Sequence, residues 1–144
     1  MAAVSGLAET LGQCLEKISP STHEKVHYHK VPLVGKKEYL TFSKTGDERI
    51  FSYHNDEFPL VYHVLMFTEI RFFSNRGAFS LYTTTADRSN WQRDFVLSSP
   101  LTPKDLEKMK DIIKIQVLLT DETRVFKLDK KKNEVLNKAI ACMR

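Results

Sequence analysis

The chain has 144 residues, of which 42% are apolar and 28% charged. A chain of that size buries roughly 70% of its extended surface, so a core can form without metal or cross-links, and the composition excludes a disordered polyanion or polycation. The net charge of +4 lies wholly in residues 101–144, with 11 basic against 7 acidic side chains, while residues 1–100 carry 11 of each. That mild polarity excludes the strong basic field of a dedicated nucleic-acid binder. No apolar run reaches the roughly 18 residues of a membrane span, and the start Met1-Ala2-Ala3-Val4-Ser5 lacks the basic end and apolar stretch of a secretory leader. Cytosolic or nuclear placement is therefore expected.

Val4, Leu7, Leu11, Cys14, Leu15 and Ile18 recur at three- and four-residue spacing, which predicts an amphipathic helix over residues 1–20, stopped at Pro20. Its stripe has to be buried on the domain's own sheet or on a partner chain, so Leu7 and Leu11 are candidate interface residues. From residue 23 the period becomes two. Val26 and Tyr28 alternate with His27 and His29 as far as Pro32, then Leu40 and Phe42 with Tyr39 and Thr41, then Arg49–Tyr53. With turns at Gly35-Lys36-Lys37 and Lys44-Thr45-Gly46-Asp47, this predicts a three-stranded antiparallel meander.

Residues 58–67 fit a buried strand or a short helix; their β-branched and aromatic content favours the strand. Ile70–Phe73 and Phe79–Thr83, joined through Ser74-Asn75-Arg76-Gly77, predict a hairpin. Residues 86–94 are polar except for Trp91 and predict a loop, followed by a short strand at Phe95–Leu97. Thr102, Pro103 and Asp105 form the opening of a short helix near 103–111. Ile113, Ile115, Val117 and Leu119 then alternate along a strand, which returns at Arg124–Leu128. Asp129 can cap a final helix at 130–143, with Val135, Leu136, Ala139, Ile140 and Met143 as its buried stripe. No linker or repeat interrupts residues 1–144, so one α+β domain on an antiparallel sheet is expected, with most strands within 23–128.

No phosphate-cradling glycine loop, nucleophile elbow or zinc spacing is present, and no cofactor or metal is expected. His27 and His29 share a strand face and are expected on the solvent side; a histidine-based hydrolase is the weakest functional reading. Cys14 and Cys142 are expected as free, largely buried thiols, although a bridge between them stays open. Trp91 beside Arg88 and Arg93 has the composition of a protein-interface hot spot, or else covers the core edge. Lys30, Lys36, Lys37 and Lys44 in or near the meander, and Lys130, Lys131 and Lys132 at the start of the last helix, are candidate contacts to an acidic ligand, or else solvated edges.

The run Ile113–Leu119, the turn, Arg124–Leu128, Asp129 and the helix to Met143 resemble the end of a pleckstrin-homology-like domain. That resemblance implies a bent antiparallel barrel closed by a C-terminal helix and a non-enzymatic scaffold. It also implies a peptide groove beside that helix, a subunit interface or a site for acidic headgroups. The expected function is a protein-interaction module within a larger complex, with a protein partner or homo-oligomer first and an acidic lipid or nucleic acid second.

Overall fold

In the computed structural model, residues 14–20, 22–56, 67–88 and 95–144 are described. They form two antiparallel sheets and two helices. Strands β1 (Leu15–Ile18), β2 (Lys25–Val34), β3 (Glu38–Thr45), β4 (Glu48–Asn55), β7 (Thr85–Arg88) and β8 (Phe95–Pro100) make the first sheet, in the order β1-β2-β3-β4-β8-β7. Strands β5 (Glu69–Ser74), β6 (Gly77–Tyr82), β9 (Ile112–Leu118) and β10 (Thr123–Lys127) make the second, in the order β10-β9-β5-β6. Helix α1 spans Pro103–Lys108 and helix α2 spans Lys130–Cys142.

The predicted meander is present as β2-β3-β4, with Leu40 opposite Tyr53 and Phe42 opposite Phe51. Gly46 sits at φ +60° in its second turn, a conformation that costs little only without a side-chain Cβ. Pro32 lies inside β2, beyond the stretch that β1 pairs, so its missing N–H falls on an unpaired edge. The predicted hairpin is β5-β6, with Phe72 opposite Phe79.

The two sheets face each other across one core. Phe51 meets Phe72 edge-on at 5.7 Å between ring centroids, and Tyr53 approaches Phe126 at 6.2 Å. Val31, Leu40, Phe42, Leu97, Ile70, Ile115 and Val117 are fully buried between them. Each such side chain contributes about 1.5–3 kcal/mol of burial. Helix α2 packs on β2 and places Leu136, Ala139 and Ile140 in the same core. Its start is as expected, with the Asp129 carboxylate accepting the Lys132 N–H at 2.8 Å. Helix α1 opens with the complete capping box: Thr102 accepts from Asp105 N–H, and Asp105 accepts from Thr102 N–H.

Several expectations need correction. Leu15–Ile18 is a strand paired to Lys25–Tyr28, and Cys14 directly precedes it, so residues 14–18 are not part of a helix; residues 1–13, with Leu7 and Leu11, lie outside the described residues. Strand pairing satisfies the backbone of this segment through β2, a partner that a local three-to-four spacing cannot reveal. Residues 85–88 form an edge strand on β8 rather than a loop. Helix α1 ends at Lys108, with the chain reversing through Asp111 at φ +57°. Where β5 pairs with β9 the register shifts between Phe73 and Ser74 and skips Ile113 of β9, so Ile112 is buried and Ile113 is exposed, against the simple alternation expected. Residues 58–66 lie outside the described residues, while Phe67 is an exposed turn residue.

Candidate interaction sites

Two lysine runs far apart in the chain lie at one end of the fold. Lys36 and Lys37 are exposed in the β2–β3 turn, and Lys130, Lys131 and Lys132 form the first turn of α2. The Lys132 ammonium donates to the Leu33 carbonyl at 2.8 Å and so ties the helix start to the end of β2. Beside that contact lies a cleft of about 200 Å³ lined by Pro32, Asp129, Lys131, Lys132 and Val135. Its apolar floor is Pro32 and Val135, its rim is mainly basic, and its one carboxylate, Asp129, is engaged by the helix backbone. The other candidate lysines are elsewhere. Lys30 lies over the Tyr39 ring at 4.0 Å, and Tyr39 stacks on His54 at 4.4 Å. Lys44 donates to the Arg144 carbonyl at 2.8 Å, at the opposite end of α2. Trp91 and Arg93 lie outside the described residues, and Arg88 is the β7 residue opposite Phe95.

A second cleft, of about 450 Å³, lies between the β5–β6 hairpin and α1, lined by Ser74, Arg76, Gly77, Ala78, Phe79, Glu107 and Lys108. Neither cleft was legible in the sequence, because each is made from segments distant in the chain.

The histidine pair is split. His27 is partly exposed and lies 3.7 Å from Glu16 of β1. His29, expected on the solvent side, is 1% exposed, and neither ring nitrogen has a hydrogen-bond partner. The two side chains share a face of β2, but α2 packs on β2 and the His29 end of that face is closed off from solvent. Burial, and then the positive charge of Lys138, hold the His29 imidazole below its ordinary 6.5. The folded state therefore refuses a proton that the unfolded chain accepts. Stability is complete above pH 6.5 and falls with acidification below it, by up to about 1.4 kcal/mol per pH unit. Urea unfolding at pH 7.5 and pH 5.5 reads this slope; in His29→Leu this contribution should disappear, and an unchanged slope would show that other groups set it.

The polar group that sequence reading missed is Glu38. Its side chain is fully buried between the sheets and accepts from Tyr53 Oη at 2.5 Å, Asn55 Nδ2 at 3.1 Å and Arg124 Nε at 3.1 Å, with a second bond from Arg124 Nη2. Arg124 also meets Glu122 at 3.3 Å. Burial, reinforced by the bond to Glu38, pushes the Tyr53 phenol above its usual 10, and the bond to Glu38 raises the Arg124 guanidinium further. A signal was present: Glu38 is in phase with the inward Leu40 and Phe42, and Arg124 with the inward Phe126. Every oxygen of the carboxylate is occupied, so the cluster acts as a clamp between β3 and β10 rather than as a free acid or base.

Cys14 and Cys142, expected as free thiols, are joined as a disulfide, with Cα atoms 5.5 Å apart. The bond ties the start of β1 to the last turn of α2. Among the described residues no group of three or more His, Cys, Asp or Glu side chains is placed to hold a metal ion, and no helix is long and apolar enough to cross a membrane. No family model matches the chain, and neither the curated proteins nor the solved structures contain a match to it.

Proposed function

We propose that this chain is a non-enzymatic protein-interaction module, a subunit of a larger assembly, that docks an acidic segment of its partner beside the start of α2. The observation that carries this reading is the cleft floored by Pro32 and Val135 and edged by Lys131 and Lys132, with Lys132 bonded to Leu33 just before the turn that carries Lys36 and Lys37. An apolar floor with a cationic rim takes a segment in which acidic residues flank an apolar anchor. The C-terminal hairpin followed by a packed helix supports a pleckstrin-homology-like interpretation of the fold; the return of β8 to pair with β4 departs from a simple meander. Phosphate-bearing ligands, headgroups or nucleic acid, are the second reading, because lysine ammonium groups serve phosphate as well as carboxylate.

Lys36→Glu with Lys37→Glu and Lys131→Glu should leave the melting temperature within about 2 °C, since all three are exposed. The same triple variant should lose the partner recovered by affinity capture, and the wild-type interaction should weaken steeply with salt. Retention of the partner by the triple variant refutes this site. Binding of wild type to anionic vesicles or single-stranded nucleic acid at low salt, lost in the variant, shifts the reading to phosphate.

A further inference from the structure

We infer that the free edge of β6 is a second docking site, built to take an extended polypeptide segment as an added strand, and that this segment alternates apolar with acidic residues. The hairpin register dictates which backbone groups are available. Thr83 N–H donates to the Thr68 carbonyl at 2.9 Å, so Thr68 and Thr83 are a hydrogen-bonded pair. In an antiparallel ladder such pairs alternate, which commits Leu81, Phe79 and Gly77 to β5 and turns the backbone N–H and C=O of Ala78, Ser80 and Tyr82 outward. β6 is the edge strand of its sheet, with no strand beyond it among the described residues.

Unpaired edges are usually blunted by a bulge, a proline or an inward charge. The described part of this one instead borders the cleft of about 450 Å³, with Gly77, Ala78 and Phe79 on one side and α1 residues Glu107 and Lys108 on the other. Phe79 is stacked on the core residue Phe72 at 5.1 Å yet only half-buried, because the cleft runs past it. An added strand would place alternate side chains, its carboxylates, on the Phe79 face beside Lys108, and the others, its apolar side chains, against Ala78, Ser80 and Tyr82 on the outer face. Tyr82 is 53% exposed there.

Charge selects the occupant. Glu107 is already engaged by Lys110 at 3.3 Å and Arg144 at 3.7 Å. Arg76 is held at the rim by its bond to the Lys110 carbonyl at 2.7 Å, and the Lys108 ammonium lies 5.9 Å from the Phe79 ring centroid. The cations at the mouth are left to meet carboxylates. A second copy of the chain fits less well, since pairing β6 to β6 about a two-fold axis would bring its own α1 to the side that the first α1 borders.

The test titrates the full chain with a short capped peptide alternating valine with glutamate and follows amide hydrogen exchange. The expected result is slowed exchange at Ala78, Ser80 and Tyr82, with Phe79 and Leu81 unchanged because they are already bonded within the sheet. Ala78→Pro, which removes an outward N–H and leaves the β5 ladder intact, should weaken binding by about tenfold or more. Should that variant fail to fold, Arg76→Glu with Lys108→Glu decides: it should lose binding, whereas equal affinity overturns the proposal. Protection at another strand, no binding at millimolar peptide, or protection already present in a free chain that sediments as a dimer also overturns it. Charge reversal at Lys36 and Lys37 should leave this binding unchanged, so the two sites fail independently.

Discussion

Replacing Arg124 by Met should cost about 3–5 kcal/mol and lower the melting temperature by about 10 °C or more. Among the described residues the guanidinium is the only cation bonded to Glu38, a carboxylate with no exposed surface. Without it the carboxylate keeps the Tyr53 hydroxyl and the Asn55 amide, which satisfy lone pairs but do not neutralise a charge between two apolar sheets. Adding Glu38→Gln to Arg124→Met should restore much of the loss, because a neutral amide can keep bonds to Tyr53 and Asn55. A double-mutant cycle measured by urea unfolding checks this; a small loss in the single variant, or additive losses, would mean that the clamp contributes little to stability. The phenol gives a second readout. Tyr53 has its proton held above the ordinary 10, so its contribution is complete below pH 10 and is lost as pH rises and the unfolded chain ionises first. Tyr53→Phe should flatten the alkaline fall in stability.

Reduction of the Cys14–Cys142 bond should lower stability by about 4 kcal/mol. The two residues are separated by 128 positions, so the bond removes much of the unfolded chain's freedom. The effect should also be local. The four residues of β1 are all exposed, and the strand is held by its ladder to β2 and by this bond. After reduction, or in Cys142→Ser, amide exchange at Leu15–Ile18 should accelerate before that of β3 and β4. Melting in the presence and absence of a reductant, with exchange followed by mass spectrometry, measures both effects; an unchanged midpoint would assign the bond no role in folding. Bonds of this kind persist in oxidising compartments and are reduced in the cytosol. The thiol state of Cys14 and Cys142 in protein alkylated at lysis therefore bears directly on the cytosolic or nuclear placement expected from composition.

What the sequence determined by itself is local. The β2-β3-β4 meander, the β5-β6 hairpin, the capping box at Thr102 and the Asp129 start of α2 rest on alternation, on turns and on side chains reaching the next helical turn, all within a few residues. What the tertiary structure decided is every pairing over long separations. β1 could read as helix because four residues carry too little pattern to outweigh an apolar spacing that continues from Val4, and only β2 supplies its hydrogen bonds. β8 left the chain order to pair with β4, and β7 followed it from a stretch that reads as polar loop. His29 looks like His27 in the sequence; α2, arriving a hundred residues later, buries one and leaves the other in water. Lys132 reached back to the Leu33 carbonyl, and Glu38 gained its counter-charge from Arg124, 86 residues away. Short-range propensity is written in neighbouring residues, whereas burial and charge pairing depend on which distant surfaces the core brings together.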